Sequence, residues 1–449
     1  MTPLLDPSKV QRRFNKVAIL FSGGPAPAAN AVISTAAASF LRYGTQVIGI
    51  RRGYSKLQEY DQAHPLVVDY DYFSLNYTTL KRTRNTGGIL IGTSRANPGK
   101  SVSEPAHLND PGRTKKLRAV YDGLRSIGVE ALISIGGDDT LKTANKFQLF
   151  QAYLPPDLPR IPIVHLPKTI DNDYFGIDFT FGYFTAVDVM ANEIRNLLAD
   201  AEANAAYFIV EAMGRSAGWL AYGAAIAGEA SLVLSVEDIS PGDRTVQKTV
   251  VDESGTYMGY GDIRKSGETI VDHEIMNRDQ FIARIVTAMR TREKNGRQFG
   301  VIVIAEGLAE LLPAEDLVGI QRDDHGHIKV SDVNLYRKVA KWVGDEFKKQ
   351  TGNEKKMTPL QLGYETRCAR PLAFDVILGS QLGVGAFRAL AEQGLTGVMV
   401  SVEKQMELKY VPFSELVNPQ TLVTQVRHII PNSDFHLLAR FLEHYPQTK

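Results

Sequence analysis

Residues 131–151 read ALISIGGDDTLKTANKFQLFQ: an apolar run, two glycines, two aspartates and a stretch of helical composition. The run 131–135 lacks polar alternation, which is typical of a strand buried on both faces of a parallel sheet. A helix is predicted from Thr140 to about Gln151, and the apolar run IPIVHL at 161–166 predicts the next strand. Because parallel neighbours need a crossover connection of this kind, the segment decides the fold class, which is α/β.

The same unit recurs elsewhere in the chain. KVAILF at 16–21 precedes the turn SGGPAP, an Ala-rich helix that ends near Gly44 and the strand QVIGI at 46–50. In the second half, strands are predicted at 231–235 and 299–307, each next to a helical pattern. We therefore expect a second α/β domain, decorated by two polar insertions.

Composition excludes several classes of protein. The chain has 449 residues, which favours two domains, and a net charge of +1, which argues against a nucleic-acid partner. Its one cysteine, Cys368, cannot form an internal disulfide and fits a reducing compartment. No apolar run approaches the roughly 18 residues that span a bilayer, and the N-terminus lacks the apolar core of a signal peptide. We expect a soluble, cytoplasmic protein with no membrane partner.

Two glycine-rich stretches are candidate phosphate sites. Gly23 and Gly24 lie between a predicted strand and helix, where backbone N–H groups and the positive helix end can approach an anion. The loop GGILIGTSR at 87–95 adds hydroxyl groups and Arg95. A tight turn without any ligand explains Gly23 and Gly24 equally well.

Two adjacent aspartates follow the glycines of the opening segment. Asp138 and Asp139 repel each other, which a purely structural turn would rarely retain, and a carboxylate beside a phosphate site suits Mg²⁺. We assign Asp138 to the metal. Asp139 is left open, because it is also placed to cap the helix predicted from Thr140.

The stretch LPKTIDNDYFG at 166–176 follows a buried strand and carries more charge than a turn requires. Lys168, Asp171 and Asp173 occur within six residues, so the loop is a candidate for chemistry. His165, on the preceding strand, is predicted to be a core histidine rather than a base.

Three further residues are candidates for binding a sugar phosphate. Arg215 follows a glycine turn in EAMGRSAGW, Glu306 ends an apolar strand, and Arg367 lies in LGYETRCARP. Taken singly, each is more often part of a surface ion pair. Their shared position at predicted strand ends favours a ligand site.

The order and spacing of SGGPAPAAN, GGILIGTSR, GGDDTL, PKTIDND, MGRSAGWLA, AEG and LGYETR resemble the phosphofructokinase family. The resemblance covers nearly the whole chain outside the insertions. It implies two Rossmann-like three-layer α/β/α domains with largely parallel sheets and an active site in the cleft between them. It also implies phosphoryl transfer to the 1-hydroxyl of fructose 6-phosphate, a step of glycolysis, with Mg²⁺ as cofactor.

On this resemblance we place a pyrophosphate- and Mg-binding domain at 1–182 plus 368–420. The sugar-phosphate-binding domain is placed at 183–367 plus 421–449, with insertions at about 237–275 and 308–358. A homodimer or homotetramer is the family expectation.

The resemblance also implies residue roles. Asp171 would be the base, supported by Asp173, while Thr169 would contact the moving phosphoryl group. Lys168 would bind a terminal oxygen of pyrophosphate, and Asp138 would hold Mg²⁺. The implied donor-binding residues are Gly23, Gly24, Arg95, Gly137, Asp139 and Lys168. The implied sugar-phosphate-binding residues are Thr169, Asp171, Met213, Gly214, Arg215, Glu306, Tyr364 and Arg367.

Two of these positions bear on the donor. Bacterial members that use ATP typically read GGDG and PGTIDND, whereas this chain has Asp139 and Lys168, which resembles the pyrophosphate-dependent branch. A carboxylate facing a nucleotide α-phosphate at ~4 Å costs about 4 kcal/mol at an effective dielectric constant of ~20. We therefore expect pyrophosphate as donor and a reversible reaction that serves both glycolysis and gluconeogenesis.

Some positions depart from the common bacterial pattern. Pro25 replaces an Asp, Tyr364 replaces a His, and Ala206 and Thr358 stand near positions where neighbouring subunits usually supply arginines. Sedoheptulose 7-phosphate is therefore kept as a possible acceptor. The competing hypotheses are an ATP-dependent phosphofructokinase, a non-catalytic regulatory subunit and a small-molecule-binding module.

Overall fold

The computed structural model describes residues 9–260, 267–322 and 328–443. Parts of the predicted domains and insertions therefore lie outside the described residues. The strands are β1 (Lys16–Ser22), β2 (Gln46–Ile50), β3 (Tyr72–Leu75), β4 (Ala131–Gly136), β5 (Ile163–Pro167), β6 (Tyr207–Ala212), β7 (Leu232–Leu234), β8 (Arg244–Val251), β9 (Tyr257–Tyr260), β10 (Thr269–Met276), β11 (Gly300–Ala305), β12 (Met357–Leu362), β13 (Val398–Glu403) and β14 (Glu407–Pro412). The helices are α1 (Ala29–Leu41), α2 (Pro111–Ser126), α3 (Asp138–Phe150), α4 (Tyr183–Asn204), α5 (Trp219–Ala227), α6 (Arg278–Lys294), α7 (Val330–Val333), α8 (Leu335–Thr351), α9 (Ala373–Phe387), α10 (Phe413–Leu416) and α11 (Asp434–Glu443).

The chain divides into two compact units. Unit 1 holds the described residues up to Thr185 together with Thr366–Arg427, and unit 2 holds Ala186–Glu365 with the described residues from His428 onward. The corresponding domain boundaries predicted from the sequence are at 182, 368 and 420.

Unit 1 is built on one seven-stranded sheet in the order β14-β13-β5-β4-β1-β2-β3. The five central strands are parallel, and an antiparallel strand closes each edge. Every residue of β4 and β5 is buried, which agrees with their unbroken apolar sequences because helices cover both faces. The carboxyl ends of β5, β4 and β1 are therefore neighbours at one edge of this sheet.

Helices α1 and α9 pack closely in unit 1 because small residues line their contact. A Cβ atom added to Gly379 would lie 3.0 Å from Cγ2 of Val32, and one added to Gly383 would overlap Thr35 Oγ1 and lie 2.7 Å from the Val32 carbonyl oxygen. Glycine at these positions lets the two helix backbones approach, which the Ala-rich sequence of α1 also favours.

One helical stretch among the described residues, Ala373–Glu392, is long and apolar enough to cross a membrane by length and composition, with a mean hydropathy of 1.2. The expectation that no apolar run approaches the length of a membrane span is therefore wrong by length and composition. Asp375 and Arg388 interrupt this stretch, so its sequence does not read as one continuous apolar run. In the structure, 56% of it is buried, and Asp375 accepts hydrogen bonds from the backbone N–H groups of Gly182 (2.9 Å) and Thr185 (2.7 Å). It forms part of the core of unit 1.

Unit 2 contains two sheets. The first has four parallel strands in the order β12-β6-β11-β7, and the second has three antiparallel strands in the order β10-β8-β9. The antiparallel sheet lies mainly within the predicted insertion 237–275 and packs with α6, α8 and β11 into one apolar cluster. The second predicted insertion contains α8, whose buried face includes Val339, Val343 and Phe347.

The α/β class with largely parallel sheets and helices on both sides is confirmed. Strand β2 has the predicted bounds, whereas β5 begins two residues later than predicted, at Ile163. Strands β3, β8 to β10 and β12 to β14 were not predicted. Most of them contain exposed or half-buried positions, and their sequences lack the continuous apolar run that marks a buried parallel strand.

The contact between α1 and α9 gives a stability prediction. We expect Gly383→Ala to lower the melting temperature of unit 1, because overpacking of this kind costs about 1–3 kcal/mol. Gly344→Ala on α8 is the matched control, since its new Cβ would lie 3.6 Å from Met357 Cγ, an ordinary contact. Differential scanning calorimetry should show the control unchanged or slightly stabilised. Equal melting temperatures for Gly383→Ala and the unmodified protein would contradict this account of the helix contact.

Candidate active site

The side chain of Lys168 is the centre of the candidate site in unit 1. Lys168 follows β5, and its backbone N–H donates to the carbonyl oxygen of Gly136 at 2.9 Å. The residue is only 7% exposed. A Cβ atom added to Gly23 or Gly137 would lie 3.6 or 3.7 Å from its Nζ atom. The ammonium group therefore lies beside both glycine turns, where three neighbouring parallel strands end.

The first glycine turn is fixed by the loop at 93–95. Gly23 has a φ of +90°, a conformation that side chains rarely adopt, and its N–H donates to the Ser94 carbonyl at 2.8 Å. Thr93 Oγ1 donates to the Gly23 carbonyl at 2.6 Å. The structure thus joins the two glycine-rich stretches, with Arg95 exposed at the end of the loop. Gly24 lies next to Arg367, because an added Cβ would be 3.9 Å from the guanidinium carbon.

Burial lowers the pKa of Lys168 to about 8. Among its charged neighbours, Asp171, Asp138 and Asp173 favour the ammonium form, whereas Arg367 opposes it. Two cations thus lie close together beside three carboxylates. Such a group of charges can bind an anionic ligand that a metal ion partly neutralises.

The loop after Lys168 has a rigid internal structure. Asn172 is buried with a φ of +53°, and its Oδ1 accepts from the backbone N–H of Thr180 at 2.9 Å. Thr180 Oγ1 donates to the Thr169 carbonyl at 2.8 Å, and the N–H of Asp171 donates to Thr169 Oγ1 at 3.0 Å. Asn172 is therefore the structural member of TIDND, and it holds Asp171 and Asp173 on either side of a fixed turn.

Asp173 is in an environment that disfavours its charged form. Burial raises the pKa of its carboxyl group, and the charges of Asp171 and Asp138 raise it further. Three carboxyl groups therefore share one region. Repulsion of this kind lets one carboxyl hold a proton at a pH where the others are ionised, which suits proton transfer.

Asp138 and Asp139 occupy the first turn of α3, which begins two residues earlier than predicted. The residue at the N-cap is Gly137, so the hypothesis that Asp139 caps the helix is wrong. Both carboxylates pair with Lys142, at 3.3 Å for Asp138 and 2.6 Å for Asp139. The sequence analysis missed Lys142, although its spacing of three and four residues on a helix was a usable signal.

The residues at this site are compatible with one Mg²⁺ shared with a ligand. No group of three or more His, Cys, Asp or Glu side chains that could hold a metal is found in the described residues. Mg²⁺ usually needs only one or two carboxylates, with water and substrate phosphates completing its coordination. Asp138 meets that requirement, because its side chain is 48% exposed and lies close to Asp173 and Lys168.

A segment distant in sequence completes the site in unit 1. Arg427 donates to the carbonyl of Asn172 at 2.7 Å through its guanidinium and to that of Asp173 at 2.8 Å through its backbone N–H. Thr424 Oγ1 donates to Asp138 Oδ2 at 3.4 Å. Sequence reasoning missed both residues, because they lie outside every recognised motif and more than 250 residues from their partners.

His165 is a fully buried residue of β5. Its Nε2 pairs with the Tyr174 hydroxyl at 2.9 Å, and the same hydroxyl donates to the Gly136 carbonyl at 3.1 Å. Burial lowers the pKa of His165 to about 3, which keeps the imidazole neutral. It is a core histidine, as the sequence analysis expected.

The residues predicted to bind the sugar phosphate in unit 2 cluster at adjacent strand ends. Strands β12, β6 and β11 are neighbours, and they precede Tyr364, Met213 and Glu306 respectively. The backbone N–H of Gly214 donates to Glu306 Oε1 at 3.1 Å. A Cβ on Gly307 would overlap the carbonyl oxygen of Arg215. Five predicted residues are thus brought together in unit 2, whereas Thr169, Asp171 and Arg367 belong to unit 1.

Comparison with known proteins identifies a family. The family model described as Phosphofructokinase matches residues 16–256. A pyrophosphate–fructose 6-phosphate 1-phosphotransferase of Thermotoga maritima is 30% identical over 434 residues, covering 95% of this chain and 89% of the relative. One of the same name from Naegleria fowleri is 32% identical, with coverages of 94% and 87%. An ATP-dependent 6-phosphofructokinase of Spirochaeta thermophila is 31% identical, with coverages of 89% and 90%.

Solved structures support the fold. A pyrophosphate-dependent phosphofructokinase from Nitrosospira multiformis matches with a TM-score of 0.61 at 18% identity, covering 97% of this chain and 94% of that chain. One from Marinobacter aquaeolei matches with a TM-score of 0.60 at 17% identity, with coverages of 94% and 88%. At these identities the likeness concerns the fold alone.

The pKa of Lys168 gives a prediction about anion binding. The ammonium form attracts a polyanion and is lost as the pH rises through about 8, so the affinity for pyrophosphate should fall above that pH. Lys168→Arg keeps its charge and should not show this fall. Calorimetric dissociation constants between pH 6.5 and 9.5 measure both effects, and ionisation of the ligand is common to the two proteins. An identical pH dependence in both proteins would show that the protonation of Lys168 is not linked to binding of the anion.

Proposed function

This chain belongs to the phosphofructokinase family, whose members transfer a phosphoryl group to fructose 6-phosphate, and we propose that pyrophosphate is its donor. The reaction would give fructose 1,6-bisphosphate and phosphate and would run in both directions. It would therefore serve glycolysis and gluconeogenesis. Two of the relatives named above carry pyrophosphate in their names and one carries ATP, so the support for pyrophosphate comes from this chain's own residues.

The observation that carries the proposal is the buried ammonium of Lys168 beside Gly23 and Gly137. A compact dianionic phosphate group fits this environment, because Lys168 can neutralise it while the glycines leave room for close approach. Gly137 is the N-cap of α3, and the N-terminus of that helix adds favourable dipoles. In this arrangement Lys168 would bind the terminal phosphate of pyrophosphate, the one that leaves, and Arg95 and Gly24 would complete the donor site.

Asp171 is the base of the proposed reaction. Its carboxylate accepts the proton of the sugar's 1-hydroxyl while that oxygen forms a bond to the nearer phosphorus. The bond from that phosphorus to the bridging oxygen breaks, and the bridging oxygen leaves with the second phosphate. Asp173 supports the neighbouring carboxylate through its place in the fixed turn, and Thr169 contacts the transferred group. Positioning and charge neutralisation supply most of the catalysis in such reactions.

Mg²⁺ would neutralise charge on the phosphate oxygens when it is bound. Asp138 is the residue of this chain that would hold it, since its carboxylate lies near Lys168 and Asp173. One protein carboxylate plus ligand phosphates is an ordinary arrangement for this ion.

The acceptor would be recognised mainly by the cluster in unit 2. Arg215 provides a cation for the sugar phosphate, and Glu306 provides an acceptor for sugar hydroxyl groups. Met213 and Gly214 follow β6, and Tyr364 follows the neighbouring strand β12. Sedoheptulose 7-phosphate is the alternative acceptor, because Ala206 and Thr358 stand near positions where neighbouring subunits usually supply arginines.

ATP is the second candidate donor, and one observation favours it. Lys142 neutralises part of the charge on Asp139, which reduces the repulsion that would exclude a nucleotide α-phosphate. A purely regulatory or ligand-binding role is less well supported, because Lys168, Asp171 and Asp138 retain a coherent arrangement for chemistry.

The role of Asp171 gives a prediction. Asp171→Asn preserves size and removes the proton acceptor, so the rate of fructose 1,6-bisphosphate formation should fall by about 10²–10⁴. The affinity for fructose 6-phosphate, measured by calorimetry, should change by less than about threefold. Asp157→Asn is the matched control, because Asp157 is exposed in the loop before β5 and should retain full activity. Turnover of Asp171→Asn within tenfold of the unmodified protein would exclude Asp171 as the base.

A further inference from the structure

Lys142 makes contacts that no part of the proposed reaction requires. Its Nζ lies 2.6 Å from Asp139 Oδ1 and 3.3 Å from Asp138 Oδ2, one turn along α3 from both. The side chain is 20% exposed, so solvent screens these pairs less than pairs on the open surface. Lys142 is therefore a charged partner of both aspartates in the GGDD motif.

The surroundings of Lys142 restrict where its ammonium can go. On the next turn of α3, Lys146 is buried and donates to the Gly99 carbonyl at 3.1 Å. Between them, Thr143 Oγ1 donates to Asn97 Oδ1 at 3.1 Å. The loop 97–99 thus contacts α3 at Thr143 and Lys146, which follow Lys142 along the helix. The ammonium group of Lys146 also repels that of Lys142, so the two aspartates are the favourable partners of Lys142.

The two aspartates are not engaged equally. Asp139 makes the shorter contact and its side chain is 29% exposed, whereas Asp138 makes the longer contact and is 48% exposed. Asp138 also accepts a weak hydrogen bond from Thr424. Lys142 therefore neutralises mainly the charge of Asp139, and Asp138 is the more accessible of the two carboxylates.

Charge counting shows why this matters for an anionic donor. Asp138, Asp139 and Lys142 together carry a net charge of −1, and without the lysine the same turn would carry −2. That turn directly follows Gly137, one of the two glycines beside Lys168. An extra negative charge there opposes any phosphate bound at Lys168, and it opposes a longer polyphosphate more strongly.

We propose that Lys142 is a specificity-determining positioning residue of the donor site: it neutralises Asp139 and leaves Asp138 available to a metal ion. This inference rests on the proposed function, since it concerns the same site. It makes Asp139 only a partial barrier to nucleotides. The donor preference of this chain is then set by the Asp139–Lys142 pair and not by Asp139 alone.

A charge-balanced set of variants tests the proposal by equilibrium binding. Lys142→Met has a local charge of −2, Lys142→Met/Asp139→Asn returns to −1, and Lys142→Arg keeps the original charge. Lys115→Met, on the exposed face of α2, removes the same charge elsewhere and is the matched control. Calorimetry with magnesium pyrophosphate and with magnesium ATP, in the absence of sugar, gives dissociation constants for each protein. Circular dichroism establishes that each variant is folded, and Lys142→Gln serves as a second neutral variant.

We expect Lys142→Met to bind pyrophosphate about tenfold more weakly than the unmodified protein and to bind ATP more weakly still. The double variant should recover to within about twofold of the original affinity. Lys142→Arg should retain most of the binding, and Lys115→Met should have none of these effects. Recovery in the double variant is the result that a merely structural role for Lys142 would not produce.

Two results would overturn the proposal: unchanged binding by folded Lys142→Met and Lys142→Gln, or a double variant no better than Lys142→Met. The outcome is separable from that of the proposed function. The donor that the unmodified protein prefers reports on the proposed function, whereas the differences among variants report on Lys142 with whichever donor binds. A protein that binds only ATP would thus refute pyrophosphate as donor and still test the role of Lys142.

Discussion

Burying one lysine ammonium beside two glycine turns is the constraint on which the candidate site depends. Lys168 loses most of its hydration, and its pKa falls to about 8, although three aspartates lie near enough to favour its charged form. A buried cation is tolerated only when it is paired. The aspartates provide that pairing in the free protein, and an incoming phosphate group would provide it during the reaction.

The fold makes this arrangement possible through the order of three strands. Gly23 and Lys168 are more than 100 residues apart in the sequence, and Gly137 lies between them. The strands that precede these residues, β1, β5 and β4, are nevertheless adjacent and parallel. Their carboxyl ends therefore bring the three turns to one edge of the sheet. The loop after β5 is then fixed by Asn172, whose buried amide oxygen binds the Thr180 backbone and leaves the flanking aspartates in place. Unit 2 uses the same principle, because its candidate residues follow three adjacent parallel strands.

How much of this could be predicted from sequence depends on the distance over which each signal acts. The strands β1, β2 and β4 were predictable because a strand covered on both faces needs an unbroken apolar run. The edge strand β14 lacks such a run, since its exposed positions alternate with half-buried ones and only Val411 of the strand is buried. In the site, Lys168 and the aspartates were found through local motifs. Arg427 was not found, because its contacts with Asn172 and Asp173 depend on a tertiary approach that leaves no local pattern. Lys142 directly follows the motif GGDDTL and was overlooked because the glycine turn was treated apart from its helix.

The measurement that tests the central claim most directly is the initial rate with fructose 6-phosphate and Mg²⁺, with either pyrophosphate or ATP at matched concentrations. Fructose 1,6-bisphosphate is measured, together with the reverse reaction from phosphate. Turnover at least a hundredfold faster with pyrophosphate, with a measurable reverse rate, is the result expected if Lys168 binds the terminal phosphate of a compact donor. Faster turnover with ATP would contradict the donor assignment and would mean that the Lys168 site receives the end of a nucleotide.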